Sequence, residues 1–232
     1  MSENIKKIMK AFMADLDSRE NQSIILKPST RPFNNQAHQV NEVAKKIYKL
    51  IEGTKHPNDD IILNHNEIKE AFFSPFEPQL KDAQVFLSYS HADKNKALKV
   101  KNYLESETNH RVFIDSLFWD YKDNVLNKLA KYDNTSKIKD AFVLILRESL
   151  QDMIEKCPYF VFLQSSNSVS NQGLSCTTYS AWVYEELKIA HSIRESRPTP
   201  MMESWQAFHD ISPFLENLET ITLKELSQQI NS

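Results

Sequence analysis

A tryptophan and a glutamate four residues apart, Trp182 and Glu186 in the tract TYSAWVYEEL, are where this sequence most clearly offers chemistry. That spacing puts both side chains on one face of a helix, an indole beside a carboxylate. If the pair lies within the first turn or two, the positive end of the helix dipole favours the ionised carboxylate. Such a pair suits a ligand that carries rings and hydroxyls. Each member also has an ordinary alternative: Trp182 as a core side chain, and Glu186 as a solvated residue beside Glu185.

Three other places supply polar or aromatic groups at the ends of apolar runs. AQVFLSYS ends in Ser88, Tyr89, Ser90 and His91; RVFID ends in Asp115 and soon reaches Trp119; YFVFLQSS runs into Ser165, Ser166, Asn167 and Ser168. In an open parallel sheet, ligands bind beyond the carboxyl ends of the strands, so these residues are expected to converge with Trp182 and Glu186. Ser90, His91, Asp115, Trp119, Ser166, Trp182 and Glu186 are thus the residues expected to meet at that edge of the sheet. Taken singly, His91 is a loop residue or helix-start partner, Asp115 a turn former, Trp119 a packing anchor and the serines a flexible polar loop.

The elements that must hold these groups follow from periodicity. Short apolar runs at 83–90, 111–115 and 159–166 read as buried parallel strands. Asp93 offers an N-cap to a helix whose face is Ala97, Val100 and Leu104. A long helix is marked by Ile138, Ala141, Phe142, Ile145 and Met153, and another runs from about Ser180 to Arg194. Strand and helix alternate, which predicts an α/β fold: a mainly parallel sheet with helices on both faces and right-handed crossovers. ETITL near the end is expected as an edge strand and KELSQQI as a last helix, while RPTPMMESW reads poorly as either.

Before residue 80 the pattern is helical. Ile5, Ile8, Met9, Phe12, Met13 and Leu16 repeat at three and four, as do Val40, Val43, Ala44, Ile47, Tyr48 and Ile51, and a short third helix is expected near Asn66 to Phe73. Pro75 and Pro78 close this region. The expected organisation is a helical N-terminal extension over 1–80, either a separate sensing or oligomerisation unit or a packing extension, and an α/β domain over 81–232.

Composition narrows the chemistry. With Gly53 and Gly173 as the only glycines among 232 residues, neither a Walker P-loop nor a G-x-G-x-x-G turn can be built. A net charge of -3 with interspersed signs gives no reason to expect nucleic acid. Cys157 and Cys176 are expected as reduced thiols, and no His/Cys spacing suits zinc, so no metal or cofactor is expected. No apolar run approaches the roughly 20 residues that span a bilayer, and the opening alternates charge with apolar residues rather than forming a secretion signal, so a cytoplasmic location is expected.

Over roughly residues 83–194 the chain resembles the TIR (Toll/interleukin-1 receptor) domain in its free-standing bacterial form. VFLSYSHADKNKA is similar to that family's opening strand and helix, RVFIDSLFW to its second strand and loop, YFVFLQSSNSVS to its third strand, and TYSAWVYEEL to its S-x-W-x-x-x-E-L tract. The resemblance implies a flavodoxin-like fold and gives Glu186 the role of the family's glutamate. Enzymatic TIR domains cleave the nicotinamide–ribose bond of NAD+, which is then a substrate and not a cofactor, and some close the remaining ADP-ribose into a cyclic or modified signal. They act when TIR domains self-associate. Free-standing bacterial examples resemble the signal-producing component of anti-phage systems such as Thoeris, where a separate effector reads the product. Two other functions fit parts of the sequence: a non-enzymatic TIR–TIR adaptor, and a nucleoside deoxyribosyltransferase-like exchange.

Overall fold

A computed structural model describes residues 9–27, 45–50, 65–73, 82–114, 124–128, 136–172, 175–195 and 209–232. In chain order its elements are β1 (Lys10–Asp15), α1 (Arg19–Ile25), α2 (His65–Phe73), β2 (Ala83–Tyr89), α3 (Lys94–Thr108), β3 (Arg111–Ile114), α4 (Ser136–Lys156) and β4 (Tyr159–Gln164). There follow β5 (Ser170–Gln172), β6 (Ser175–Thr178), α5 (Ala181–Glu195), β7 (His209–Asp210), α6 (Ser212–Leu215), β8 (Glu219–Thr220) and α7 (Leu223–Asn231).

Five strands form one sheet in the order β3-β2-β4-β1-β8, and every pairing in it is parallel. The protein is therefore α/β, with a parallel sheet flanked by helices. The central strands are apolar because a parallel strand is covered on both faces. Val85, Phe86 and Leu87 of β2 and Phe160 to Leu163 of β4 are all fully buried. Across β2 and β4 the Phe86 and Phe160 rings stack at 5.8 Å with a 7° interplanar angle, and Phe113 of β3 lies 5.7 Å from Phe86.

Two expectations about the N-terminal region are corrected. The helical stripe around Met9 to Leu16 is strand β1, which lies inside the sheet, paired with β4 from Lys10↔Tyr159 to Asp15↔Gln164 and with β8 at Phe12↔Glu219 and Met13↔Thr220. A short apolar run fits either period, and burial between two neighbours decides for the strand. Phe12 and Ala14 are buried alongside Ala11 and Leu16, so the strand hides both faces. The 1–80 extension is also not a contiguous unit. The chain divides into one compact unit of residues 1–32, 82–114 and 151–232 and a second of residues 33–81 and 115–150. Residue 80 does lie beside a crossing between the two units, but the first 32 residues belong with the sheet.

The described parts of the second unit are helical: α2, residues 45–50 and 124–128, and α4 up to residue 150. Ile47, Ile68, Val125 and Ile145 are buried there, and Lys69 lies 4.0 Å from Glu148. The third helix expected near Asn66 to Phe73 is α2. RPTPMMESW falls outside the described residues. The polar stretch between β4 and α5 holds structure that was not expected, a small antiparallel sheet in the order β5-β6-β7.

Candidate active site at the carboxyl edge of the sheet

Helix α5 begins as the sequence predicts. Ser180 stands just before it, its hydroxyl accepting from the Val183 N–H at 3.3 Å, which satisfies one of the unpaired donors of the first turn, while its carbonyl accepts the first bond of the helical ladder from the Tyr184 N–H at 3.1 Å. Trp182 is therefore the second residue of the helix, half-buried, and Glu186 the sixth.

Helix α5 packs against β2, and this contact fixes the site. Glu186 is not a solvated surface residue: it is 0 % exposed, and its Oε2 accepts a hydrogen bond from the Ser88 hydroxyl at 2.5 Å. Ser88 is the sixth of the seven residues of β2 and is itself fully buried. A buried carboxylate is tolerated only where hydrogen bonds replace its water, and Ser88 supplies one. Glu185 is buried too and lies 3.8 Å from the Lys188 ammonium, which sits 5.5 Å over the Tyr184 ring. Tyr184 stacks on His209 at 4.5 Å and meets Phe214 edge-on at 5.6 Å. One stripe of α5 thus faces the sheet, and a second faces β7 and α6.

Beyond β2 the chain makes a single 3-10 turn, His91–Asp93, closed by the Asp93 N–H donating to the Ser90 carbonyl at 2.7 Å. Ser90 is buried and His91 exposed. Asp93 does not cap α3 through its side chain, as the sequence suggested. Its carboxylate turns instead to the end of β4, accepting from the Ser165 hydroxyl and from Asn167 Nδ2 at 2.9 Å, with Lys96 at 3.5 Å. Nor is the serine tract a loose loop. Ser165 Oγ accepts from the backbone N–H of Asn167 and Ser168, at 3.0 and 3.2 Å, and Ser168 Oγ accepts from Ser165 N–H at 2.8 Å.

Strand β1 delivers the last member, Asp17. Its carboxylate accepts from the Ser166 N–H at 3.0 Å and from Lys96 Nζ at 3.0 Å. The Ser166 backbone N–H, then Lys96, hold the Asp17 carboxyl below its ordinary value, and the hydrogen bond to Asp17 holds the Lys96 ammonium above its own. The carboxyl ends of β1, β2 and β4 are thus tied by Asp17, Lys96, Asp93 and the Ser165–Ser168 turn.

Of the residues singled out in the sequence, Ser90, His91 and Ser166 stand at the carboxyl ends of β2 and β4. Glu186 and Trp182 stand on α5, and Glu186 reaches β2. Asp115 and Trp119 lie outside the described residues. Ser166 is engaged with Asp17. What the sequence reading missed is the pairing of Ser88 with Glu186 and the roles of Asp17, Lys96 and Asp93; a lone serine inside the apolar run VFLSY is the one local sign that β2 meets a polar partner.

Among the described residues no group of three or more His, Cys, Asp or Glu is placed to hold a metal ion, and no helix is long and apolar enough to cross a membrane. No family model matches the chain, and no curated protein or solved structure is significantly similar to it.

Proposed function

We propose that this chain is a TIR-type NAD+ nucleosidase that cleaves the nicotinamide–ribose bond and yields ADP-ribose or a cyclic or modified signal derived from it. The observation that supports the reading is Glu186: a carboxylate carried by α5 to the carboxyl end of strand β2 and held there by Ser88. One carboxylate suits this reaction. The cationic pyridinium nitrogen of NAD+ takes the glycosidic electron pair as the bond breaks, so nicotinamide departs as a neutral molecule and no acid has to protonate it. Positive charge then builds on the ribose, and a fixed carboxylate stabilises that oxocarbenium-like transition state until water or a hydroxyl of the product attacks. Trp182 would shape the ribose pocket, with Ser90, His91 and Ser166 as hydrogen-bonding neighbours.

Glu186 has no exposed surface in this form, so turnover requires the carboxylate to be uncovered. That agrees with activation by self-association of TIR domains. In this reading the protein acts in the bacterial cytoplasm as the signal generator of an anti-phage system of the Thoeris kind, and a separate effector reads the product. The same burial favours a second reading, a non-enzymatic TIR–TIR adaptor in which Glu186 and Ser88 only join α5 to the sheet.

Incubation of the pure protein with NAD+, over a wide range of protein concentration and with extract of phage-infected cells, separates the two. Release of nicotinamide that falls at least about a hundredfold in Glu186→Gln supports the enzyme. No release under any of these conditions, or full activity in Glu186→Gln, excludes the mechanism.

A further inference from the structure

Among the described residues strand β3 is an edge strand, paired with β2 on one side only. After Arg111 its residues are Val112, Phe113 and Ile114, apolar and suited to a strand to which another strand adds. In an extended chain the N–H and C=O of one residue point to the same side, so alternate residues present both groups outward from an edge. At Val112 both are already engaged. Its N–H donates to Glu105 Oε1 at 3.0 Å, and its carbonyl accepts from Lys101 Nζ. Lys101 and Glu105 stand one helical turn apart on α3 and form an ion pair at 2.5 Å.

The connection explains the reach. Helix α3 ends at Asn109, whose left-handed backbone (φ 54) turns the chain so sharply that β3 begins two residues later. The last turns of α3 therefore run alongside the edge of the strand that follows. Both side chains are partly shielded, with 20 % and 23 % of their surface exposed, so the pair is less screened than an ion pair in open solvent.

We propose that Lys101 and Glu105 form a clasp over the β3 edge, which keeps the equivalent strand of a second copy of this chain from pairing there. The clasp occupies both the N–H and the C=O that Val112 presents outward, so a strand adding along β3 would have to displace it. The opposite edge is blunted differently, since β8 has only two residues. Self-association of the intact protein then has to use a surface other than the β3 edge. This inference does not depend on the enzymatic reading.

The test compares the parent with Lys101→Ala/Glu105→Ala and with Glu105→Gln, whose amide oxygen still accepts from Val112. Amide hydrogen exchange and analytical ultracentrifugation are the readouts. The double alanine variant is expected to exchange the Val112 amide at least about tenfold faster, with the Phe86 and Phe160 amides unchanged, and to gain a concentration-dependent association beyond that of the parent. Glu105→Gln is expected to match the parent in both. If the double variant does not fold, Glu105→Ala alone carries the same comparison. Unchanged exchange at Val112, or faster exchange with sedimentation identical to the parent, overturns the clasp.

Discussion

Asp17 is about half-exposed, yet three elements meet at its carboxylate. The Ser166 N–H and the Lys96 ammonium both lie 3.0 Å from it, and both favour its ionised form, so its folded-state pKa is depressed. A depressed carboxylate contributes stability that is fully present above its unfolded value of about 4 and is lost as the pH falls through the lower folded value. Lys96 behaves in the opposite sense. Its pKa is raised, so its contribution is complete below the unfolded value of about 10.4 and disappears as the pH climbs through the folded one. Because the Ser166 amide proton is bonded to Asp17, its NMR shift should report the Asp17 titration, with a midpoint below that of an unstructured aspartate. Lys96→Ala should move this midpoint upward without abolishing it, since the Ser166 N–H is the larger cause. A midpoint at the ordinary value in the parent, or one that Lys96→Ala leaves in place, would show that the bond does not persist in solution.

Between elements, the buried side chain of Asn21 does the most joining. Its Nδ2 donates to the Asp15 carbonyl at 2.7 Å and its Oδ1 accepts from the Leu223 N–H at 2.8 Å, so one amide ties the end of β1 to α1 and to the start of α7. Replacing it by alanine strands a buried donor and a buried acceptor, and Asn21→Ala is expected to lower the unfolding free energy by about 2–3 kcal/mol in urea denaturation with an unchanged m-value. A loss below about 0.5 kcal/mol would mean that water replaces the amide. This junction also marks where the sequence ceased to be legible. Strands β2, β3 and β4 and helices α3, α4 and α5 stand out in the sequence because each is long or uniformly apolar enough to satisfy one period. Strand β1 does not, because six residues with Ala11, Phe12, Met13 and Ala14 in a row fit a helical stripe equally well. The sign that settles it is the sequel, in which Ser18 caps a new helix by accepting from the Asn21 N–H at 3.3 Å, leaving no room for a helix that runs through Leu16. The site shows the same division. The spacing of Trp182 and Glu186 is local and was readable, whereas the contact of Glu186 with Ser88, 98 residues away, depends on how α5 meets the sheet.

At the scale of the whole first unit, Cys157 can report whether the sheet stays closed. It lies between Lys156, the last residue of α4, and Tyr159, the first of β4, is 2 % exposed, and places its Sγ 3.7 Å from the carbonyl of Ala83 at the start of β2. The thiol is thus set against the amino ends of two core strands, and no side-chain motion alone can bring it to solvent. Burial pushes its pKa up to about 12, because a thiolate in that setting loses its water and gains little in return. At pH 8 about one thiol in ten thousand would be ionised, against roughly a quarter for an ordinary cysteine, so both access and ionisation oppose reaction. In a Cys176→Ser background, a disulfide reagent at pH 8 should therefore label Cys157 only as fast as the unit opens. The rate should rise with added urea along the unfolding equilibrium, and Asn21→Ala should accelerate it by the factor that its loss of stability dictates, about 30- to 160-fold for 2–3 kcal/mol. Rapid labelling in the native protein, insensitive to both urea and Asn21→Ala, would show instead that β2 and β4 separate at their amino ends without unfolding of the sheet.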